Sequence, residues 1–137
     1  MGCCILLVDD SATVRSLVKV FLMGHDFEYL EASGGEHALE ILRGRVPDLV
    51  IADLNMPGLD GLSFLKRLRL DARPQIRALP LILFTSDKSP DVRERALQAG
   101  ANEFVRKPVS SNELQDALRR LLPSAFSDVA APSRKGR

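Results

Sequence analysis

Three short apolar runs, each stopped by an oxygen-bearing side chain, constrain this chain more than any other feature. Cys3 to Val8 stops at Asp9 and Asp10, Leu49 to Ala52 stops at Asp53, and Leu81 to Phe84 stops at Thr85 and Ser86. Runs that are apolar at every position fit strands buried on both faces, as parallel strands are. Phe27 to Ala32 and Glu103 to Lys107 are more mixed, as flanking strands should be.

Helical stripes separate these runs. Val14, Leu17, Val18, Phe21 and Leu22 recur at helical spacing, with Arg15, Ser16 and Lys19 on the other side. Ala38, Ile41 and Leu42 form a shorter stripe that Gly44 would stop, and Leu62, Leu65 and Leu68 form a third. Ser89 before Pro90 reads as the N-cap and first residue of a fourth helix, with Val92, Ala96 and Ala99 inward and Gly100 at its end. Leu114, Leu118, Leu121 and Leu122 mark a fifth, closed by Pro123. Strand then helix, five times over, implies a doubly wound α/β fold, a three-layer sandwich with a parallel sheet between two layers of helices. Such sheets bind ligands outside the carboxyl ends of their strands.

The chain's 137 residues suit one domain, expected over 1–122, with 123–137 as a mobile tail of small residues lacking apolar period. A net charge of +1 with no basic stripe argues against a nucleic-acid partner. No apolar run approaches the ~20 residues of a membrane span. The start lacks a signal-peptide pattern, and Leu6 stands where a myristoylation signal wants Ser or Thr. Cys3 and Cys4, adjacent, form neither a disulfide framework nor a zinc spacing. A cytoplasmic protein is expected, with His25 and His37 solvated and away from any site.

The predicted sheet edge collects chemistry. Strand 1 brings Asp9 and Asp10, strand 3 Asp53, strand 4 Thr85 and Ser86, and strand 5 Lys107 followed by Pro108. Two like charges at about 4 Å repel by about 4 kcal/mol at an effective dielectric near 20. One lysine cannot neutralise three carboxylates, but a divalent cation can. Oxygen donors without His or Cys favour Mg²⁺, with Mn²⁺ as the alternative. An open Mg²⁺ position beside a lysine suits a phosphoryl group. Each residue alone also has a bland reading: Asp9-Asp10 as a helix cap, Asp53 as a loop acid, Thr85 as a turn cap, Lys107 as a solvated end. Their joint arrival at one edge is what favours the chemistry.

These residues are also where the chain resembles the response-regulator receiver family. The segments are Ile5-Leu-Leu-Val-Asp-Asp10, Asp53-Leu-Asn-Met-Pro-Gly-Leu-Asp-Gly61, Phe84-Thr-Ser86 and Phe104-Val-Arg-Lys-Pro108, within a likeness spanning residues 3 to 122. The resemblance implies a flavodoxin-like (βα)5 fold with strand order 2-1-3-4-5. That order is known from flavodoxin and a chemotaxis receiver, and is carried over rather than derived from spacing.

By the same resemblance, Asp53 is the phosphoacceptor of a two-component signalling system. Asp10, Asp53 and the Asn55 backbone carbonyl would hold Mg²⁺, with Asp9 acting mainly through water or charge. Lys107 would pair with the phosphoryl oxygens. Thr85 would turn to the phosphoryl group, Phe104 would move into the space it vacates, and Pro108 would follow a cis peptide bond that aims Lys107. The donor would be a sensor histidine kinase, a histidine phosphotransfer protein or a small phosphodonor. The output is expected as an unknown protein contact of a single-domain regulator. The protein would assist its own phosphorylation and dephosphorylation without turning over other substrates. Three rivals compete: a phosphorylation-independent pseudo-receiver, disfavoured by the intact acid set; a flavin protein, whose phosphate Asp9 and Asp10 would repel; and a haloacid-type phosphatase, whose first strand should lead into Asp-x-Asp, whereas Asp9 and Asp10 are adjacent.

Overall fold

The computed structural model describes residues 2–107 and 110–123. Five strands, β1 (Cys3–Val8), β2 (Phe27–Ala32), β3 (Leu49–Asp53), β4 (Leu81–Thr85) and β5 (Glu103–Arg106), form one parallel sheet in the order β2-β1-β3-β4-β5. The expected order and flanking strands are therefore found, with β5 ending one residue earlier, at Arg106, while the Lys107 N–H still donates to the Thr85 carbonyl at 2.7 Å.

Neighbouring residues of the apolar runs point to opposite faces, and that alternation divides the core. Ile5, Leu7, Leu49, Ile51, Ile82 and Phe84 pack against α1 (Ala12–Phe21) and α6 (Ser111–Leu121). Leu6, Val8, Val50, Ala52, Leu81 and Leu83 pack against α2 (Gly35–Leu42), α3 (Gly61–Arg69) and α5 (Val92–Gln98). The result is the three-layer sandwich.

The helices start where local chemistry satisfies their free N–H groups. Ser11 accepts from the Val14 N–H at 3.2 Å, Asp60 from Ser63 at 2.8 Å and Ser110 from Glu113 at 3.0 Å. Four expectations are corrected. The fourth predicted helix starts at Val92, because the Ser89 hydroxyl donates to the Asp87 carboxylate at 2.6 Å rather than capping. A four-residue helix, α4 (Pro74–Arg77), too short to show a period, seats the buried Ile76 between α3 and β4. Leu17, expected inward, is 43% exposed; Val18 and Leu22 fill the interface instead. His25 is half-buried and stacks on Phe27, with ring centroids 5.6 Å apart, rather than being solvated. The expectations for Pro108 and the tail beyond Pro123 lie outside the described residues.

Among the described residues no helix is long and apolar enough to cross a membrane.

Candidate functional site

Parallel pairing brings the ends of β1, β3 and β4 side by side: Val8 pairs with Ala52, and Asp53 with Phe84. Asp53 is the last residue of β3, and Asp9 follows β1; both are buried, at 5% and 4% exposure, whereas Asp10 reaches solvent. One carboxylate oxygen from each of the three lies within 4.8 Å of the others. Lys107, just past β5, sets its Nζ 3.3 Å from Asp53 Oδ2 and 3.5 Å from Asp9 Oδ2. All four expected charged residues thus share one pocket.

Burial is the main force on Asp53, and it pushes the carboxyl above the ordinary carboxylate range. The negative charge of Asp9 adds to that push, while Lys107 and the Asn55 N–H, 3.2 Å from Asp53 Oδ1, oppose it. A site that disfavours its own charge lacks positive charge. The donor set supplies two buried carboxylates and one exposed one, with no His or Cys in the cluster, and that fits a hard cation such as Mg²⁺. Asp10 is open to solvent, so a Mg²⁺ held there would be free to keep bound waters.

Loop geometry supports the acids. Gly61 N–H donates to the Leu54 carbonyl at 2.9 Å, and a Cβ on Gly61 would meet the Asp53 carbonyl and lie 2.7 Å from Leu54 Cα. Only glycine lets α3 start this close to β3. Gly58 turns the loop with φ +75°. Asp60 caps α3, so it holds the loop rather than the cation.

Thr85, at the end of β4, is fully buried. Its Oγ1 donates to Asn55 Oδ1 at 3.0 Å and accepts from the Asp87 N–H at 2.9 Å. Phe104 is half-buried on β5 and packs at the margin of the α5-side core.

Two residues that sequence reasoning does not place at the site, Arg15 and Arg106, touch it, and Asn55 adds a side-chain contact to its expected carbonyl role. The side chain of Asn55 bridges Asp53's loop to Thr85; it had been expected to act through its carbonyl. Arg15 donates to the Asp9 backbone carbonyl at 2.5 Å while its Nε pairs with Glu31 at 2.9 Å. Arg106 donates to the Asp87 carbonyl at 2.7 Å and stacks over Phe104. The Asn55–Thr85 and Arg106–Asp87 contacts join segments that meet only on folding, so no local pattern announces them.

A doubly wound parallel sheet with acids and a lysine at its ligand edge is the class that fold and site define. The chain belongs to the response regulator receiver domain family, whose profile matches residues 5–119. The response regulator Rre1 of Synechocystis sp. is 38% identical over 134 residues, covering 96% of this chain and 57% of that protein. The phosphate regulon transcriptional regulatory protein PhoB of Escherichia coli K12 is 32% identical over 129 residues, covering 91% of this chain and 56% of that protein. The chain thus spans little more than half the length of these curated relatives.

Among solved structures, a putative response regulator from Chloroflexus aurantiacus superposes with TM-score 0.82 at 31% identity, covering 90% of this chain and 99% of that one. The receiver domain of sensor histidine kinase PA1611 from Pseudomonas aeruginosa, with magnesium in its active site cleft, gives 0.77 at 30% identity, covering 88% and 98%. The expected absence of a nucleic-acid partner gains no support, since one relative is named a transcriptional regulator. Receiver domains are signalling modules that interact with histidine kinases.

Proposed function

We propose that Asp53 accepts a phosphoryl group from a phosphohistidine of a partner kinase or phosphotransfer protein, in a Mg²⁺-dependent step that switches a protein-contact surface. The observation that carries this reading is the single pocket in which Asp9, Asp10 and Asp53 gather with Lys107. Asp9, Asp10 and Asp53, with the Asn55 carbonyl, would hold the metal. When bound, Mg²⁺ supplies charge neutralisation for the acids and the incoming phosphoryl oxygens.

The chain's own groups do the rest. An Asp53 carboxylate oxygen attacks phosphorus; the P–N bond breaks as the P–O bond forms, and the imidazole leaves with its electron pair and takes a proton. The product is an acyl phosphate. Lys107 exchanges its contact with Asp53 for the phosphoryl oxygens. Thr85 leaves Asn55 for a phosphoryl oxygen, and Phe104 follows into the vacated space. The surface of α5, β5 and α6 carries the change outward. Asn55 and Asp87 line a cleft of about 480 Å³ together with Leu54, Met56 and Asp60, the route by which water would reach and hydrolyse the acyl phosphate to reset the switch. The protein is then a substrate that assists its own modification. Intact-mass spectrometry after incubation with Mg²⁺ and acetyl phosphate tests the reading: one phosphoryl mass is expected on the wild type, mapping to Asp53, and none on Asp53→Asn. Equal labelling of both would refute it.

A further inference from the structure

Arg106 sits on the edge strand β5, two residues from Phe104 and therefore on the same face. Its guanidinium carbon lies 5.3 Å from the centroid of the Phe104 ring. Its Nη1 donates to the backbone carbonyl of Asp87 at 2.7 Å. Asp87 in turn gives its N–H to Thr85 Oγ1 at 2.9 Å, and its carboxylate accepts from the Ser89 N–H and hydroxyl at 2.8 and 2.6 Å. One exposed side chain therefore grips both the loop that holds Thr85 and the ring of Phe104.

We infer that Arg106 is a positioning residue that clasps the switch in its resting conformation. The inference rests on the proposed reading in which Thr85 and Phe104 move after Asp53 is modified. In that motion Thr85 gives up the Asn55 and Asp87 contacts, and the ring slides out from under the guanidinium. Both partners of Arg106 change place, whereas Arg106 touches none of the acids. A group that contacts only one of two states shifts their ratio by that difference alone. Arginine suits the task because a planar guanidinium stacks on a ring and donates in its own plane at once; a lysine ammonium does one or the other well. An exposed cation over a half-buried ring plus one charge-assisted hydrogen bond, screened by water, makes the expected bias about three- to tenfold.

The test is titration of the full chain with beryllofluoride, a phosphoryl mimic, at saturating Mg²⁺, followed by amide NMR. Wild type, Arg106→Ala, Arg106→Lys and Asp53→Asn are compared, with a Mg²⁺-only titration of each. Arg106→Ala should bind beryllofluoride about three- to tenfold more tightly than wild type, with Arg106→Lys between them. Mg²⁺ affinity should be the same in wild type and both Arg106 variants, which a general loosening of the fold would not leave untouched. Equal beryllofluoride affinity, or a parallel shift in Mg²⁺ affinity, overturns the clasp while leaving Asp53's role standing. A wild type no more responsive than Asp53→Asn overturns both.

Discussion

Asp53→Asn is expected to make the metal-free protein more stable at pH 7, although it removes the residue proposed to carry the function. Asp53 and Asp9 have carboxylate oxygens within 4.8 Å, which at an effective dielectric near 20 is a repulsion of at least about 3.5 kcal/mol. Lys107 at 3.3 Å offers an attraction of about 5 kcal/mol on the same scale. That ammonium is shared with Asp9 and its side chain is 22% exposed, so the two Coulomb effects nearly cancel. Burial then decides, and burial is the first cause holding the Asp53 carboxyl above its ordinary range. A carboxyl raised in the folded state favours folding fully below the ordinary carboxylate range, and that favour is lost as pH climbs through the raised value. At pH 7 the ionised Asp53 is a deficit that a neutral amide removes, by about 1–2 kcal/mol. For a domain of this size that is a rise in Tm of about 3–8 °C. Thermal unfolding in EDTA at pH 7 and again near pH 4 measures it: the gap between variant and wild type should narrow in acid. A variant that melts below wild type at pH 7, or a gap indifferent to pH, would show that Lys107 outweighs burial and would refute the reasoning.

Lys107→Ala leaves two buried carboxylates without the ammonium they share, and should destabilise the metal-free protein by about 1–3 kcal/mol in urea unfolding. The same variant should bind Mg²⁺ more tightly by calorimetry, yet accept at least about tenfold less phosphoryl from acetyl phosphate. Thr85→Val strands Asn55 Oδ1 and the Asp87 N–H, costing about 1–2 kcal/mol of stability. Asp53 should still be labelled in that variant, while the NMR shifts that beryllofluoride produces in α5 and β5 disappear. Gly61→Ala forces a Cβ against the Asp53 carbonyl and Leu54 Cα, and should lower stability by about 2–3 kcal/mol in chemical denaturation, with loss of Mg²⁺ binding as β3 shifts.

What could be read from the chain follows from what is local. The inner strands announce themselves because parallel strands covered on both sides are apolar throughout, as Leu49–Ala52 and Leu81–Phe84 are. Topology then sends their terminal residues to one edge, so Asp9, Asp53, Thr85 and Lys107 were legible before any side chain was placed. Ser89 was misread because a hydroxyl before proline has two uses, and here it serves Asp87 rather than the helix. Leu17 followed the helical period yet faces solvent, since period identifies a stripe but not its edge. The links from Asn55 to Thr85, from Arg15 to the Asp9 carbonyl and from Arg106 to Phe104 and Asp87 depend on how loops and long side chains settle against one another. Of these only the Arg106–Phe104 pairing follows from strand spacing; the others complete the site without a spacing rule to announce them.

The central physical idea is that three clustered carboxylates form one place for a divalent ion. Calorimetric titration of Mg²⁺ into the metal-free chain asks this without any phosphodonor or partner. One saturable site is expected in the wild type, weakened at least about tenfold in Asp53→Asn and in Asp10→Asn, each of which loses a charged ligand. No heat of binding in the wild type, or an affinity unchanged by either substitution, would contradict it.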